Sequence, residues 1–372
     1  MQGISAVLYD PVIARGAKLT METTQTQPEN ASLRLAKRES RNWGGIILLV
    51  LASILVLYGV YLFQLKPMLS MRLPQHQPLP LDSPPVLLTS FQVREGGIDL
   101  TPQNIAVGHD SIYVSFVGES LIQIYSPTLR QFGSLHLDKP AVIIPTAIAV
   151  TDSQLIVADT IKGLIAVFDA SGEYVNSVAW YPGRSVRVRP IQIATDGKLL
   201  TVIDSKAAQV AVISLVNQQP FFDFLELMDL IPGEDHSRLR EPSAACITPE
   251  GSIWIGDASG KAVIYSPTGD FVNELEQPKL TRITTPICFA VADGSKSATP
   301  ASKDRWQPEL IRVHLLDKTT GKVYVYDLSG RLKLVYPQDR DLRQPTSIAI
   351  NSLRREIFVT ESATRSITVF GY

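Results

Sequence analysis

The chain has 372 residues, with 35 Lys and Arg against 36 Asp and Glu, a formal net charge of −1, and 45% hydrophobic residues. That length accommodates one large all-β domain or several smaller ones and does not choose between them. The balanced charge supplies neither the basic excess of a nucleic-acid-binding protein nor the acidic tail of a disordered solvating segment.

In chain order, residues 1–42 are polar, lack a sustained apolar period and read as a disordered cytoplasmic tail, within which Met21 offers an alternative start. The stretch GGIILLVLASILVLYGVYLFQ, Gly44 to Gln64, then runs without a charge. About 20 such residues suffice to cross about 30 Å of hydrocarbon, so a transmembrane helix is expected over 43–64. A cleaved signal peptide would need a shorter apolar region and a small-x-small site, which Leu57-Tyr58-Gly59-Val60-Tyr61 does not supply. Arg34, Lys37, Arg38 and Arg41 precede the span, whereas only Lys66 and Arg72 closely follow it. The positive-inside bias therefore expects a single-pass protein of the inner (cytoplasmic) membrane, its N-terminus cytoplasmic and its bulk periplasmic or extracellular. Residues 65–85 contain Pro67, Pro74, Pro78, Pro80, Pro84 and Pro85, which predicts a semi-rigid, extended stalk.

Beyond the stalk one phrase recurs: PQNIAV at Pro102, PTAIAV at Pro145, PIQIAT at Pro190, PSAACI at Pro242, PICFAV at Pro286 and PTSIAI at Pro345. Successive differences in residue number are 43, 45, 52, 44 and 59. Each phrase is followed by a second β-rich run, such as QLIVAD from Gln154, and a third, such as LIAVFD, before a Gly turn closes most units. The runs alternate at period two and are dense in Val, Ile, Tyr and Thr, which excludes helical repeats of similar length. A small sheet repeated every 40 to 50 residues or so must stack on its neighbours to bury its faces, and this predicts an all-β, six-bladed β-propeller over 86–372. The small residues Ala106, Ala149, Ala194, Cys246, Ala290 and Ala349 fall where the inner strands converge. The last unit stops after its third run, so VLLTSFQV, Val86 to Val93, is expected to supply its fourth strand and close the ring.

The units resemble NHL repeats, whose pattern joins Pro-x-x-Ile-Ala-Val, a run ending in Val-x-Asp and an apolar run ending in Val-Phe-Asp before a Gly turn. Pro145 to Tyr174 matches almost completely, with Val157-Ala158-Asp159 and Val167-Phe168-Asp169, whereas the first unit has Phe116 in place of the acid. This resemblance implies the six-bladed propeller and specifies a fold rather than a function.

Asp159, Asp204, Asp257, Asp317 and Glu361 close the second runs, each followed by a base: Lys162, Lys206, Lys261, Lys322 and Arg365. A ring of charge at the channel mouth is one reading. Repetition in nearly every unit favours a structural one, in which each acid accepts backbone hydrogen bonds in its own loop and pairs with its base. Resemblance to the zinc-dependent amidating lyase would imply channel histidines, yet none of His76, His109, His136, His236 and His314 lies in an inner phrase. No metal or other cofactor is expected, since zinc needs converging ligands and calcium needs more acids and amides than the isolated Asn104 and Gln192. Cys246 and Cys288 read as buried free thiols rather than a disulfide, because their phrase offsets differ by two residues.

Two long connections, Ala179 to Arg189 and Gln218 to Glu241, leave the same face, and an insertion, Asp293 to Pro308, leaves the opposite one. The first carries Trp180, Tyr181, Arg184, Arg187 and Arg189, and aromatic residues beside Arg are typical of interface hot spots. These residues are the candidate binding patch. Phe221, Phe222 and Phe224 in the second read as an outer strand. The expectation is a non-catalytic scaffold that binds protein partners in or near the membrane, within an envelope-associated assembly such as secretion, cell-wall or electron-transfer machinery, and binds no nucleic acid. The alternative is a small-molecule lyase or hydrolase with its site at the channel mouth.

Overall fold

The computed structural model describes residues 48–56, 79–80, 82–108, 110–137, 143–178, 188–215, 239–293 and 308–372. The chain divides into two units, 1–71 and 72–372. In the first unit, residues 48–56 form a helix whose side chains are all exposed, Leu48 at 72% and Leu55 at 69%. No described helix is long and apolar enough to cross a membrane. The flanks of the expected span, 43–47 and 57–64, the tail 1–42 and most of the stalk lie outside the described residues.

The second unit is all β. It opens with β1 (Val86–Gln92) and a short hairpin of β2 (Arg94–Glu95) and β3 (Ile98–Asp99). Blade 1 is β4 (Pro102–Val107), β5 (Ile112–Phe116), β6 (Leu121–Tyr125) and β7 (Gln131–His136). Blade 2 is β8 (Ala147–Val150), β9 (Gln154–Asp159), β10 (Leu164–Asp169) and β11 (Tyr174–Ser177). Blade 3 has three described strands, β12 (Pro190–Thr195), β13 (Leu199–Asp204) and β14 (Gln209–Ser214), and the following residues 216–238 lie outside the description. Blade 4 is β15 (Pro242–Ile247), β16 (Ile253–Asp257), β17 (Ala262–Tyr265) and β18 (Phe271–Glu274). Blade 5 is β19 (Pro286–Ala292), β20 (Arg312–Asp317), β21 (Lys322–Tyr326) and β22 (Leu332–Tyr336). Blade 6 is β23 (Pro345–Asn351), β24 (Glu356–Glu361) and β25 (Ser366–Gly371).

All within-blade pairings are antiparallel, and the recurring phrase forms the innermost strand each time. Proline has no N–H to give the ladder, so it sits at the first residue of β4, β12, β15, β19 and β23, where a register shift follows it, and two residues before β8. The inner strands touch in ring order, β4 to β8, β12, β15, β19, β23 and back to β4. An apolar cluster fills each interface between neighbouring blades. Between blades 4 and 5, fully buried Trp254 packs edge-on to Phe289 and tilted against Tyr326. Burying one such aromatic contributes about 2–3 kcal/mol, so the ring is held by its interfaces rather than by any single sheet.

Blade 6 takes its fourth strand from the start of the domain. β1 pairs antiparallel with β25 from Val86↔Gly371 to Gln92↔Ser366, the pairing expected of Val86 to Val93. Leu88 and Phe91 of β1 pack on the apolar cluster shared by blades 6 and 1. We call the face at which each inner strand begins the upper face. The described parts of the connections between blades and the turns from second to third strands then lie on the upper face, and the other described turns on the lower. As an outer strand, β1 runs from lower to upper, so the chain enters the propeller at the lower face. There Asp82 meets the guanidinium of buried Arg312 at 2.9 Å.

Candidate functional site

The repeat acids lie together on the upper face, but each works inside its own blade. Asp159 accepts from the Ile144 and Lys162 amides at 3.0 and 2.9 Å. Asp204 accepts from the Arg189 and Lys206 amides at 3.0 and 2.9 Å. Asp257 accepts from Arg240 and Glu241, both at 2.6 Å, and from Ser259 at 2.9 Å. Asp317 accepts from the amides of Thr284, Thr285 and Thr320, and Glu361 from that of Arg343 at 2.6 Å. Each aspartate thus ties the turn after the second strand to the segment leading into the inner strand, whereas Glu361 ties that segment to Thr368 of β25. At Asp257 burial pushes the pKa up, and hydrogen bonds from Ser259, Glu241 and Arg240 outweigh it, holding the group below the usual carboxylate value. The bases expected beside the acids turn elsewhere: Lys261 pairs with Glu274, Lys322 with Asp341, and Glu361 is met by Arg340 rather than Arg365. Their side chains reach past the turn, whereas the acids are saturated by nearer amides. Glycine is required in the same turns, since a Cβ on Gly163 or Gly321 would come within 2.5 Å of the carbonyl oxygen of Val188 or Leu342.

The six inner strands enclose a cavity of about 190 Å³. Its wall is mostly Ile, Val and Ala, and its polar groups bind the blades to each other in an alternating pattern. In blades 1, 3 and 5 the residue two after the phrase proline reaches the inner strand of the next blade. Asn104 accepts from the Ile148 amide at 3.3 Å, Gln192 from the Ala245 amide at 2.7 Å, and the Cys288 thiol donates to the Ile348 carbonyl at 3.7 Å. In blades 2, 4 and 6 a hydroxyl one after the proline donates to the next blade's proline carbonyl. Thr146 reaches Pro190 at 3.4 Å, Ser243 reaches Pro286 at 2.6 Å, and Thr346 reaches Pro102 at 3.2 Å. Asn104 and Gln192, isolated in sequence, are therefore two members of a closed ring of hydrogen bonds.

Cys246 and Cys288 are free and buried. Burial pushes both thiols up, that of Cys246 further because Cys288 lies near, so both are neutral at pH 7. Neither described histidine reaches the cavity wall. His314 is buried on β20, its Nδ1 3.0 Å from the Tyr336 hydroxyl, and burial together with nearby Arg312 lowers its pKa to about 3. His136 ends the outer strand β7. Among the described residues no three His, Cys, Asp or Glu side chains are grouped to hold a metal ion.

A second, larger pocket of about 420 Å³ opens on the upper face of blade 6, lined by Ser90, Arg340, Asp341, Arg343, Glu361, Thr364 and Ser366. Arg340 is held over it by Glu361 at 3.4 Å and by Thr368 at 3.1 Å. Sequence reading passed over Ser90, Arg340 and Arg343, whose sole signal is the charged run Asp339-Arg340-Asp341-Leu342-Arg343 before the last phrase. Of the expected binding patch, Arg189 is exposed with its amide on Asp204, whereas Trp180, Tyr181, Arg184 and Arg187 lie outside the described residues. His76, His109, His236, Phe221, Phe222 and Phe224 also lie outside them.

No known family profile matches the chain, and no curated protein does. Among solved structures, it is similar to virginiamycin B lyase from Staphylococcus aureus in a catalytically inactive histidine-to-alanine form with quinupristin. The identity is 10% and the TM-score 0.52, over 76% of this chain and 99% of that one. The selenomethionine-substituted lyase from the same organism gives 10% identity and a TM-score of 0.50 over the same shares. Likeness at this identity is one of fold, and the NHL resemblance rests on the repeat phrases alone. By architecture and by these neighbours, the chain is a six-bladed β-propeller.

Proposed function

We propose that the protein is a membrane-anchored, extracytoplasmic propeller that serves as a non-catalytic, protein-binding scaffold in an envelope-associated assembly. The observation that carries this reading is the commitment of the interior. The amides, hydroxyls and thiol named above join blade to blade, and the repeat acids are engaged by their own main chain. What remains for recognition is surface. The patch proposed for it is the segment of Trp180, Tyr181, Arg184, Arg187 and Arg189, of which Arg189 is described, exposed just before β12 on the upper face. The described loops of that face expose Lys162, Arg189, Lys206, Arg240, Lys279, Arg282, Lys318, Arg340, Arg343 and Arg365 beside fewer acids, Glu119, Glu241, Glu276, Asp339 and Asp341, whereas the lower turns expose Asp110, Asp152, Asp196, Asp270 and Asp293 beside Arg130, Lys198 and Arg331. Such a face suits a partner with an acidic surface, because complementary charge speeds docking and selects orientation. The fully exposed apolar helix at 48–56 supports the anchor, since water-exposed runs of Leu, Ile and Val are costly.

The test is affinity capture of the full-length protein from gently solubilised membranes beside a Trp180→Ala/Arg187→Glu variant. A defined partner set lost in the variant is expected, and identical sets would refute the assigned patch. Protease added to spheroplasts should digest the propeller, and protection would overturn the topology. The second reading, a small-molecule lyase or hydrolase at the channel mouth, is supported by the fold likeness to virginiamycin B lyase. It requires a metal copurifying at unit stoichiometry or turnover by the purified chain.

A further inference from the structure

The upper pocket of blade 6 has a charge pattern that its own side chains leave unsatisfied. Glu361 is 2% exposed, and both its oxygens are taken, one by Arg340 and the Thr368 hydroxyl, the other by the Arg343 amide. Asp341 is turned to Lys322 at 2.9 Å. Arg343 is exposed, and among the described residues its guanidinium has neither an ion pair nor a hydrogen bond. Around it stand the hydroxyls of Ser90, Thr364 and Ser366, each with one hydroxyl partner and capacity for another bond.

We infer that this pocket binds an oxyanion, a carboxylate or phosphate carried by a polar small molecule. A guanidinium presents a planar fork that matches either group in a bidentate pair, and Arg343 is the fork left open. Arg340, held in place by the buried Glu361, adds a second positive charge that the ligand need not order. The volume of about 420 Å³ lies within the roughly 300–1,000 Å³ of small-molecule sites and exceeds what a bare ion fills. The hydroxyl-rich wall therefore points to a hydroxylated body, such as a sugar acid or sugar phosphate. Ser90 belongs to β1 and Ser366 to β25, so a ligand seated here touches the first and last strands of the ring. Binding the closed ring but not the opened one stabilises closure by mass action. The site is independent of the scaffold reading.

Inorganic phosphate and D-glucuronate would be titrated separately into the full-length protein in detergent, at constant ionic strength, with thermal unfolding as the readout. The expected result is a saturable rise in unfolding temperature with at least one probe, half-saturating on the order of 1 mM. Arg343→Gln should weaken that response at least about tenfold. Asp339→Asn, an exposed neighbour that does not line the pocket, should leave it unchanged. A response to phosphate alone assigns a phosphoryl ligand, and one to glucuronate a carboxylate. Equal responses in wild type and Arg343→Gln, or no saturable response to either probe, overturn the proposal.

Discussion

Replacing Asp317 by Ala should cost the propeller a large share of its stability. The side chain is fully buried, and its carboxylate collects the amides of Thr284 at 2.6 Å, Thr285 at 2.7 Å and Thr320 at 2.8 Å. The hydroxyls of Thr284 and Thr320 donate to it as well, each at 3.1 Å. Alanine leaves three main-chain donors without an acceptor, and each orphaned donor costs about 1–3 kcal/mol. Water entering the vacated space recovers part of this, which brings the expected loss to about 4 kcal/mol. A domain's whole stability is about 5–15 kcal/mol, and for one of this size the loss corresponds to a fall in Tm of about 10 °C. Because Thr284 and Thr285 immediately precede β19, hydrogen exchange should rise first at the entry to blade 5. Thermal and urea unfolding followed by circular dichroism measure the effect, with exposed Asp339→Ala as a control expected within about 0.5 kcal/mol of wild type. A loss below about 1 kcal/mol for Asp317→Ala would show that the acid is not a structural clamp.

Deleting residues 86–92 removes the partner of β25 and exposes two sheet edges, so the single cooperative transition should broaden or disappear, and an unaltered melting curve would refute closure by this strand. Cys246 and Cys288, buried and protonated, should react with a thiol reagent only after unfolding, and rapid labelling of both in the native protein would contradict a closed channel wall. His314 has a folded pKa of about 3 against an unfolded value of 6.5, so between those pH values the unfolded chain binds more protons. Its contribution is complete above pH 6.5 and is lost on acidification by up to about 1.4 kcal/mol per pH unit. His314→Phe should flatten the dependence of the urea midpoint on pH between 7 and 5, and an unchanged slope would exclude this histidine as its source.

The blades were legible because their signals are local. A proline that cannot donate to a ladder stands at or just before each inner strand's start, a small residue marks the convergence point, and in five blades an acid closes the second strand. Even the borrowed strand β1 followed from counting, since the last unit lacked a fourth run and Val86 to Val93 alternated without a partner. The partners of those local groups were less legible. Lys261 and Lys322 stand near repeat acids in sequence, yet pair with Glu274 and Asp341, because a long flexible side chain is placed by the surrounding surface.

Period, residue type and turn chemistry thus carry the architecture of this protein, because each acts over a few neighbouring residues. The ring of hydrogen bonds around the channel is different in kind. Asn104, Gln192 and Cys288 alternate with Thr146, Ser243 and Thr346 only once all the blades stand side by side. The same holds for the pocket on blade 6, where Ser90 faces Arg340 and Arg343 from the far end of the chain. No local pattern encodes such a meeting, since it depends on closing the circle, and closure is a property of all the interfaces together.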